Sequence, residues 1–278
     1  MISSEATTGN DYALGHQVGE LDRLVDQARY FGDFTDEMLR RAGVGDGMHV
    51  LDIGCGAGDV SFQAARWVGP CGSVTGVDAS KDAVAMATRR AKNAGVTNVR
   101  FRVADVQQLE TSASYDAIVG RLVLMYFADP AVLLRRLLGA LRPGGIVAFQ
   151  EIDAARVESL PRCELLETCV ERIRKTLARV GADPRCGLRL ERLIREAGLP
   201  VPDTVLHARV ERAAEGGTVT QLVQLTRTLL PAMERTGVAM PAEVDIDGLE
   251  TRLRAEAAAC DATLVSPAFV SAWTRKPQ

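Results

Sequence analysis

Three aspartates stand where short apolar runs end: Asp52 in "HVLDIG", Asp78 in "VTGVDAS" and Asp105 in "VADVQQL". The first is followed by three alternating glycines, Gly54, Gly56 and Gly58. Glycines here permit positive φ and let a ligand come close to the backbone. The free N–H groups of such a loop, and of a helix starting after it, suit an anionic group. A dinucleotide loop would read G-x-G-x-x-G, with its third glycine at position 59. That position holds Asp59, a poor neighbour for a pyrophosphate but no obstacle to a ligand with a cationic centre. Asp78, 20 residues beyond Gly58, can accept hydrogen bonds from ribose hydroxyls, or else cap a helix. Asp105 can accept from an adenine amino group while Val106 packs on the ring, or else sit in a solvated turn. The glycine loop, Asp78 and Asp105, three independent features at three consecutive strand ends, favour one nucleoside ligand over three unrelated turns.

The elements that must position these groups alternate. Residues 48–53, 73–78, 99–103, 115–120 and 146–151 read as strands. Residues 59–68 read as a helix, and a second runs from a Ser80 cap to Gly95 in the C′ position. Asp129-Pro130 opens a third, with Leu133, Leu134, Leu137, Leu138 and Leu141 as its stripe, before "LRPGG" turns into the fifth strand. This order predicts a parallel sheet with helices on both faces and a ligand site at the carboxyl ends of the strands. Ahead of it, Val18, Leu21, Val25 and Ala28 mark one helix, and Thr35 reads as the N-cap of a second, short one carrying Met38 and Leu39. After Asp153 helices dominate, at about 160–180, 189–198, 218–230 (ending at Pro231) and 247–260. Residues 204–211 read as a strand, and 263–275 as a strand pair or one interrupted strand. Pro267 demotes that last segment from a central position or marks a bulge.

The 278 residues are 47% hydrophobic and 25% charged, an ordinary globular mixture. A net charge of −3 gives no electrostatic case for nucleic acid. Six cysteines without a CxxC pair and three histidines without zinc spacing argue for reduced thiols and no metal. The start, "MISSEATTGN", has no leader pattern, and no apolar run approaches the roughly 20 residues of a membrane span. The expectation is a soluble cytoplasmic protein.

"VLDIGCGAGDVSFQAA", "VTGVDAS", "FRVADVQQL", "YDAIVGRLVLMYFADP" and "LRPGGIVAFQE" resemble, in order and spacing, the successive motifs of class I S-adenosylmethionine-dependent methyltransferases of the small-molecule, type 11/25-like group. The resemblance covers roughly residues 45–153. It implies an α/β, doubly wound, Rossmann-like fold with a seven-stranded, mostly parallel sheet. Residues 1–44 would form a helical lid, 45–153 the cofactor-binding core, and 154–278 the rest of the sheet with helical insertions that roof the substrate. It implies S-adenosylmethionine as cofactor and S-adenosylhomocysteine as product. Asp52 and the loop Gly54, Cys55, Gly56 and Gly58 would hold the methionine part. Asp78 would take the ribose, Ala79 would lie beside the adenine, and Asp105 and Val106 would hold it. Arg121 would meet the cofactor carboxylate or the substrate, and Gln27 and Tyr12 are lid candidates.

For the acceptor, Tyr12, His16, Tyr126, Glu151 and Asp153 are the polar candidates. A hydroxyl acceptor needs a base, for which His16 or Glu151 would serve. Glu151 would instead stabilise a carbocation if the acceptor were an alkene carbon, or simply bond nearby backbone N–H groups. His49 and His207 read as structural. The apolar insertions suit a small or medium hydrophobic acceptor of the natural-product type, or serve as core packing or a homodimer face. The basic run 171–179 reads as a solvated helix face. DNA amino-methylation would call for an Asn/Asp-Pro-Pro-aromatic motif where this chain has "GRLVLMYF". A nicotinamide-dependent oxidoreductase and a non-catalytic cofactor-binding partner are the competing readings.

Overall fold

A computed structural model of the chain describes residues 18–109 and 114–278. Helix α1 (Val18–Ala42) leads into strand β1 (His49–Ile53), α2 (Asp59–Val68), β2 (Ser73–Asp78), α3 (Lys81–Asn93), β3 (Val99–Val103), β4 (Tyr115–Arg121), α4 (Pro130–Leu137) and β5 (Leu141–Asp153). Then follow β6 (Glu158–Leu160), α5 (Glu164–Arg179), α6 (Cys186–Glu196), β7 (Asp203–His207), β8 (Val210–Arg212), α7 (Gly217–Arg235), α8 (Pro241–Val244), α9 (Ile246–Ala259), β9 (Thr263–Val265) and β10 (Ala268–Arg275). No helix among the described residues is long and apolar enough to cross a membrane.

Seven strands form one sheet in the order β3-β2-β1-β4-β5-β10-β7, and only β10 runs against the others. Alternate residues of each strand feed two cores. Val50, Val74, Val119, Ile146 and Ala148 pack with Met38, Leu39 and Ala64 of α1 and α2. Leu51, Ile53, Ile118, Val147 and Phe149 pack toward α4 and α6. The helix signals behave as their chemistry dictates. Ser80 Oγ accepts from the Ala83 N–H, and Asp129 accepts from the Val132 N–H, ahead of Pro130.

Four sequence expectations need correction. Residues 18–42 are one helix, with Thr35 buried in its middle and not capping a second. This part of the expected lid lies flat on the sheet, against β5, β10 and α2. Strand β5 begins at Leu141, so "LRPGG" belongs to it, and the pairing with β4 shifts register between Tyr115 and Ala117. Helix α7 continues through Pro231 to Arg235.

The fourth concerns residues 204–211 and 263–275, which form one antiparallel ribbon bent between two sheets. β7 pairs with β10 in the main sheet, and β8 pairs with β9 in a small sheet of order β6-β9-β8. At the bend Arg209 N–H donates to Ser266 Oγ and Ser266 N–H donates to the Arg209 carbonyl, each at 2.9 Å. Pro267, which has no N–H to give, occupies the switch. It leaves β10 in an interior place, between β5 and β7.

The insertions α5, α7 and α9 pack on one another. Their apolar faces (Leu166, Ile173, Leu222, Met233 and Leu253 among them) merge with the core on the α4–α6 side of the sheet.

Candidate functional site

The tips of β1, β2 and β4 converge on the glycine loop. Gly54, Gly56 and Gly58 have φ of +62°, +51° and +91°, so the alternation of glycines follows the backbone conformation. A Cβ on Gly54 would lie 2.4 Å from Val123 Cγ2, which packs the turn after β4 directly onto the loop. The Cys55 N–H donates to the Val77 carbonyl, and its thiol is buried, with its pKa pushed up by that burial.

Asp52 is fully buried beneath this loop. Its Oδ2 accepts from the Ser61 hydroxyl at 2.6 Å, while Oδ1 is buried without a partner. Burial raises its pKa to about 7, against the opposing pull of Ser61 and of the Arg121 charge. Asp78 reaches across to the loop: Oδ2 accepts from the Gly56 N–H at 2.9 Å and Oδ1 from the Ser80 N–H at 2.8 Å. A carboxylate has about four acceptor positions. Two therefore remain for hydroxyls, and Ser80 serves as the helix cap. Ala79 beside it is exposed. The Ala104 N–H donates to the Asp78 carbonyl at 2.9 Å, which brings Asp105 next to this strand end. Asp105 is exposed, accepts from the Gln107 N–H and the Gln108 amide, and precedes a buried Val106.

Asp59 is spoken for within the protein. It pairs with Arg90 at 2.7 Å, and Arg90 also donates to the Ala57 carbonyl and lies over the Phe62 ring. Its presence at position 59 therefore has a structural reason independent of any ligand charge.

Arg121 ends β4 opposite Gln150 of β5 and is half-buried. Nη1 donates to Thr35 Oγ1 at 3.2 Å. Among the described residues it forms no ion pair within 4.0 Å. Burial holds its pKa below the ordinary arginine value, and the negative charges of Asp59 and Asp52 oppose that shift.

Helix α1 runs opposite to β5. Thr35 meets Gln150, whereas Arg41 lies over Trp273, which pairs with Ala148 farther back along the strand. Gln27, two turns before Thr35 on the same helix face, is therefore displaced about 12 Å along the axis toward the strand tips. It is buried there. Tyr12 and His16 lie outside the described residues.

Glu151 stands on the other face of the sheet, fully buried. Its Oε1 accepts from the Val123 and Leu124 N–H groups at 2.9 and 2.7 Å, and Oε2 is buried without a partner. Burial raises its pKa to about 7, while those N–H groups act in the opposite direction. It thereby grips the turn after β4, where Leu122 adopts a φ of +52°. A left-handed leucine is strained and persists only where its surroundings over-determine it. Tyr126 follows in the same turn, half-buried against the core. Asp153 is buried beside Arg156 and Arg185, each at 3.4 Å, so the protein supplies its counter-charges.

Sequence reasoning missed Ser61, Thr35 and Gln150. A glutamine inside "IVAFQE", a strand that must be buried on both faces, was the available signal.

A methyltransferase-domain family profile matches residues 45–198. The chain belongs to the class I S-adenosylmethionine-dependent methyltransferases. It is 32% identical over 207 residues to an uncharacterised 37.1 kDa protein in transposon TN4556 of Streptomyces fradiae, covering 73% of this chain and 58% of that one. It is 36% identical over 119 residues to an arsenite methyltransferase of Aquipseudomonas alcaligenes, covering 40% of this chain and 34% of that one. The match thus spans less than two thirds of either relative's length. In fold it is similar to a crystallised methyltransferase from Aquifex aeolicus, with a TM-score of 0.54 at 19% identity over 68% of this chain and 92% of that one.

S-adenosylmethionine is the methyltransferase family's cofactor, and the residues present fit it. The buried Asp52 Oδ1, which lacks a partner, and the Arg121 guanidinium, which forms no ion pair among the described residues, suit the two ends of an amino-acid zwitterion. The loop of positive-φ glycines and the spare acceptor positions of Asp78 complete the match.

Proposed function

We propose that this chain transfers a methyl group from S-adenosylmethionine to a small organic acceptor. The observation that carries the reading is the placement of Asp52 and Arg121 near the carboxyl ends of the adjacent strands β1 and β4. Asp52 has one carboxyl oxygen without a partner, and Arg121, held by Thr35, forms no ion pair among the described residues. When bound, the cofactor supplies an electrophilic methyl carbon on a sulfonium, so the protein need not create an electrophile.

The chain's own work is binding, alignment and exclusion of water. Asp52 takes the ammonium end, Arg121 the carboxylate end, and Asp78 the ribose hydroxyls. Asp105, Val106 and Ala79 border the adenine, and the first turns of α1, with Gln27, close the cofactor edge. The acceptor enters between the turn after β4 and the helices α5, α7 and α9. Aligning two reactants in a good attack geometry contributes about 7–11 kcal/mol in well-oriented systems. The apolar faces of those helices are largely spent on one another, so acceptor shape, more than bulk hydrophobicity, selects the substrate. Glu151 acts by holding the turn through Oε1, which accepts from the Val123 and Leu124 N–H groups.

Thermal unfolding with added ligand tests the cofactor reading. S-adenosylhomocysteine raises the midpoint and NADH leaves it unchanged; the reverse result discards the assignment. Methyl-labelled S-adenosylmethionine, incubated with phenols, amines, keto acids and prenyl compounds, then identifies the acceptor class. Cofactor binding without transfer to any acceptor would favour a non-catalytic binding protein.

A further inference from the structure

We infer that Thr35, backed by Gln150, is a positioning residue that holds the Arg121 guanidinium in place for the cofactor carboxylate. The inference rests on the role of Arg121 proposed above.

A threonine inside a helix ordinarily returns its hydroxyl proton to the carbonyl four residues back. Thr88, Thr168, Thr176, Thr226 and Thr236 all do so in this protein. Thr35 does not. It is fully buried in the middle of α1 and donates sideways to Gln150 Oε1 at 2.7 Å. That leaves its lone pairs to receive Arg121 Nη1 at 3.2 Å. Behind it, Gln150 Nε2 donates to Ser271 Oγ at 2.8 Å, the amide orientation that turns Oε1 toward Thr35. The result is a one-way chain of donors, Arg121 to Thr35 to Gln150 to Ser271, crossing from β4 through α1 to β5 and β10.

Such a chain is costly to build for packing alone. Thr35, Gln150 and Ser271 are all fully buried, where apolar side chains of similar volume would join α1 to the sheet without polar desolvation. What the polar chain provides is a fixed acceptor for one corner of a long, rotamer-rich cation. Four of the five guanidinium donors stay available to an anion. An arginine already ordered loses less freedom when that anion arrives.

The test compares full-chain variants by calorimetric binding of S-adenosylhomocysteine and of its decarboxylated analogue, which keeps the amine and the nucleoside. Thr35→Val, which keeps the shape and removes the hydroxyl, is expected to weaken S-adenosylhomocysteine about tenfold, the scale of one hydrogen bond to a charged group. It should leave the analogue's affinity unchanged, and Thr35→Ser should restore binding. Gln150→Met should show the same discrimination, and it carries the test if Thr35→Val does not fold. Arg121→Met should lose as much or more, and adding Thr35→Val to it should cost nothing further. Equal weakening of both ligands by Thr35→Val would mark a merely structural role and overturn the inference. So would a loss in Arg121→Met with none in Thr35→Val or Gln150→Met, which would leave the Arg121 assignment standing. Unaltered binding in Arg121→Met would overturn both.

Discussion

Asp52→Asn isolates the cost of keeping a carboxyl group in the interior. In the native state burial raises the Asp52 pKa to about 7. In the unfolded chain an aspartate titrates near its usual value of about 4. Below the unfolded value both states are protonated and the group has no differential effect. As pH rises from there, the unfolded chain releases its proton while the native state keeps it, so stability falls until the native pKa is passed. Between about pH 5.5 and about pH 8.5 the unfolded group stays ionised and the native group changes from protonated to ionised. The effective span is about 1.5 pH units at 1.36 kcal/mol each, or about 2 kcal/mol lost by the wild type. Asparagine does not titrate, and its carbonyl can still accept from Ser61. Any fixed penalty for its unpartnered NH₂ cancels when the two pH values are compared, and the contribution of Glu151 is common to both proteins. Urea unfolding of the ligand-free proteins should therefore show the wild-type-minus-variant difference moving by about 2 kcal/mol against the wild type at the higher pH. A difference that stays flat would mean that burial does not raise the Asp52 pKa in the ligand-free protein, and the reasoning from desolvation would fail.

Gly54→Ala combines a left-handed backbone with a Cβ 2.4 Å from Val123 Cγ2. The backbone term alone is about 1–2 kcal/mol, so the melting midpoint should fall and S-adenosylhomocysteine should bind at least about tenfold more weakly by calorimetry. Glu151→Gln keeps an oxygen for the Val123 and Leu124 N–H groups and should retain most turnover, whereas Glu151→Leu strands both N–H groups and should lose it. If Glu151 were the base, the glutamine variant would instead lose about 10²–10⁴ in turnover, read with whichever acceptor the labelling screen finds. Iodoacetamide near neutral pH should alkylate exposed Cys71 well before Cys55, whose thiol is buried and hard to ionise. Peptide mapping that found the two equally reactive would show the glycine loop to be open.

The first five strands were legible because each joins a β-branched run to a glycine or acid at a fixed place, and local chemistry decides both. Gly54, Asp78 and Asp105 lie at strand ends for the same reason. Thr35 was misread because an N-cap and a buried relay both call for a hydroxyl. Only the partners, Gln150 and Arg121, 115 and 86 residues away in sequence, separate the two. The ribbon 204–211 with 263–275 was read as strands but not as a bend, because the Arg209–Ser266 exchange that makes the bend is non-local. Glu151 and Asp59 show the same limit. Residue type left the role of each open, and only packing revealed the Val123 and Leu124 N–H groups on Glu151 and Arg90 on Asp59.

Strand β10 enters the sheet between β5 and β7, yet it is the last strand in chain order. While the chain is being synthesised, the long flank of β5 therefore has no neighbour until residues 268–275 have left the ribosome. For that interval the nascent protein exposes an unpaired, apolar strand border of the kind that recruits other chains. Mutations that weaken the β10–β5 pairing away from Ser271 should thus reveal themselves first as poor yield and inclusion bodies, before any loss of cofactor affinity can be measured.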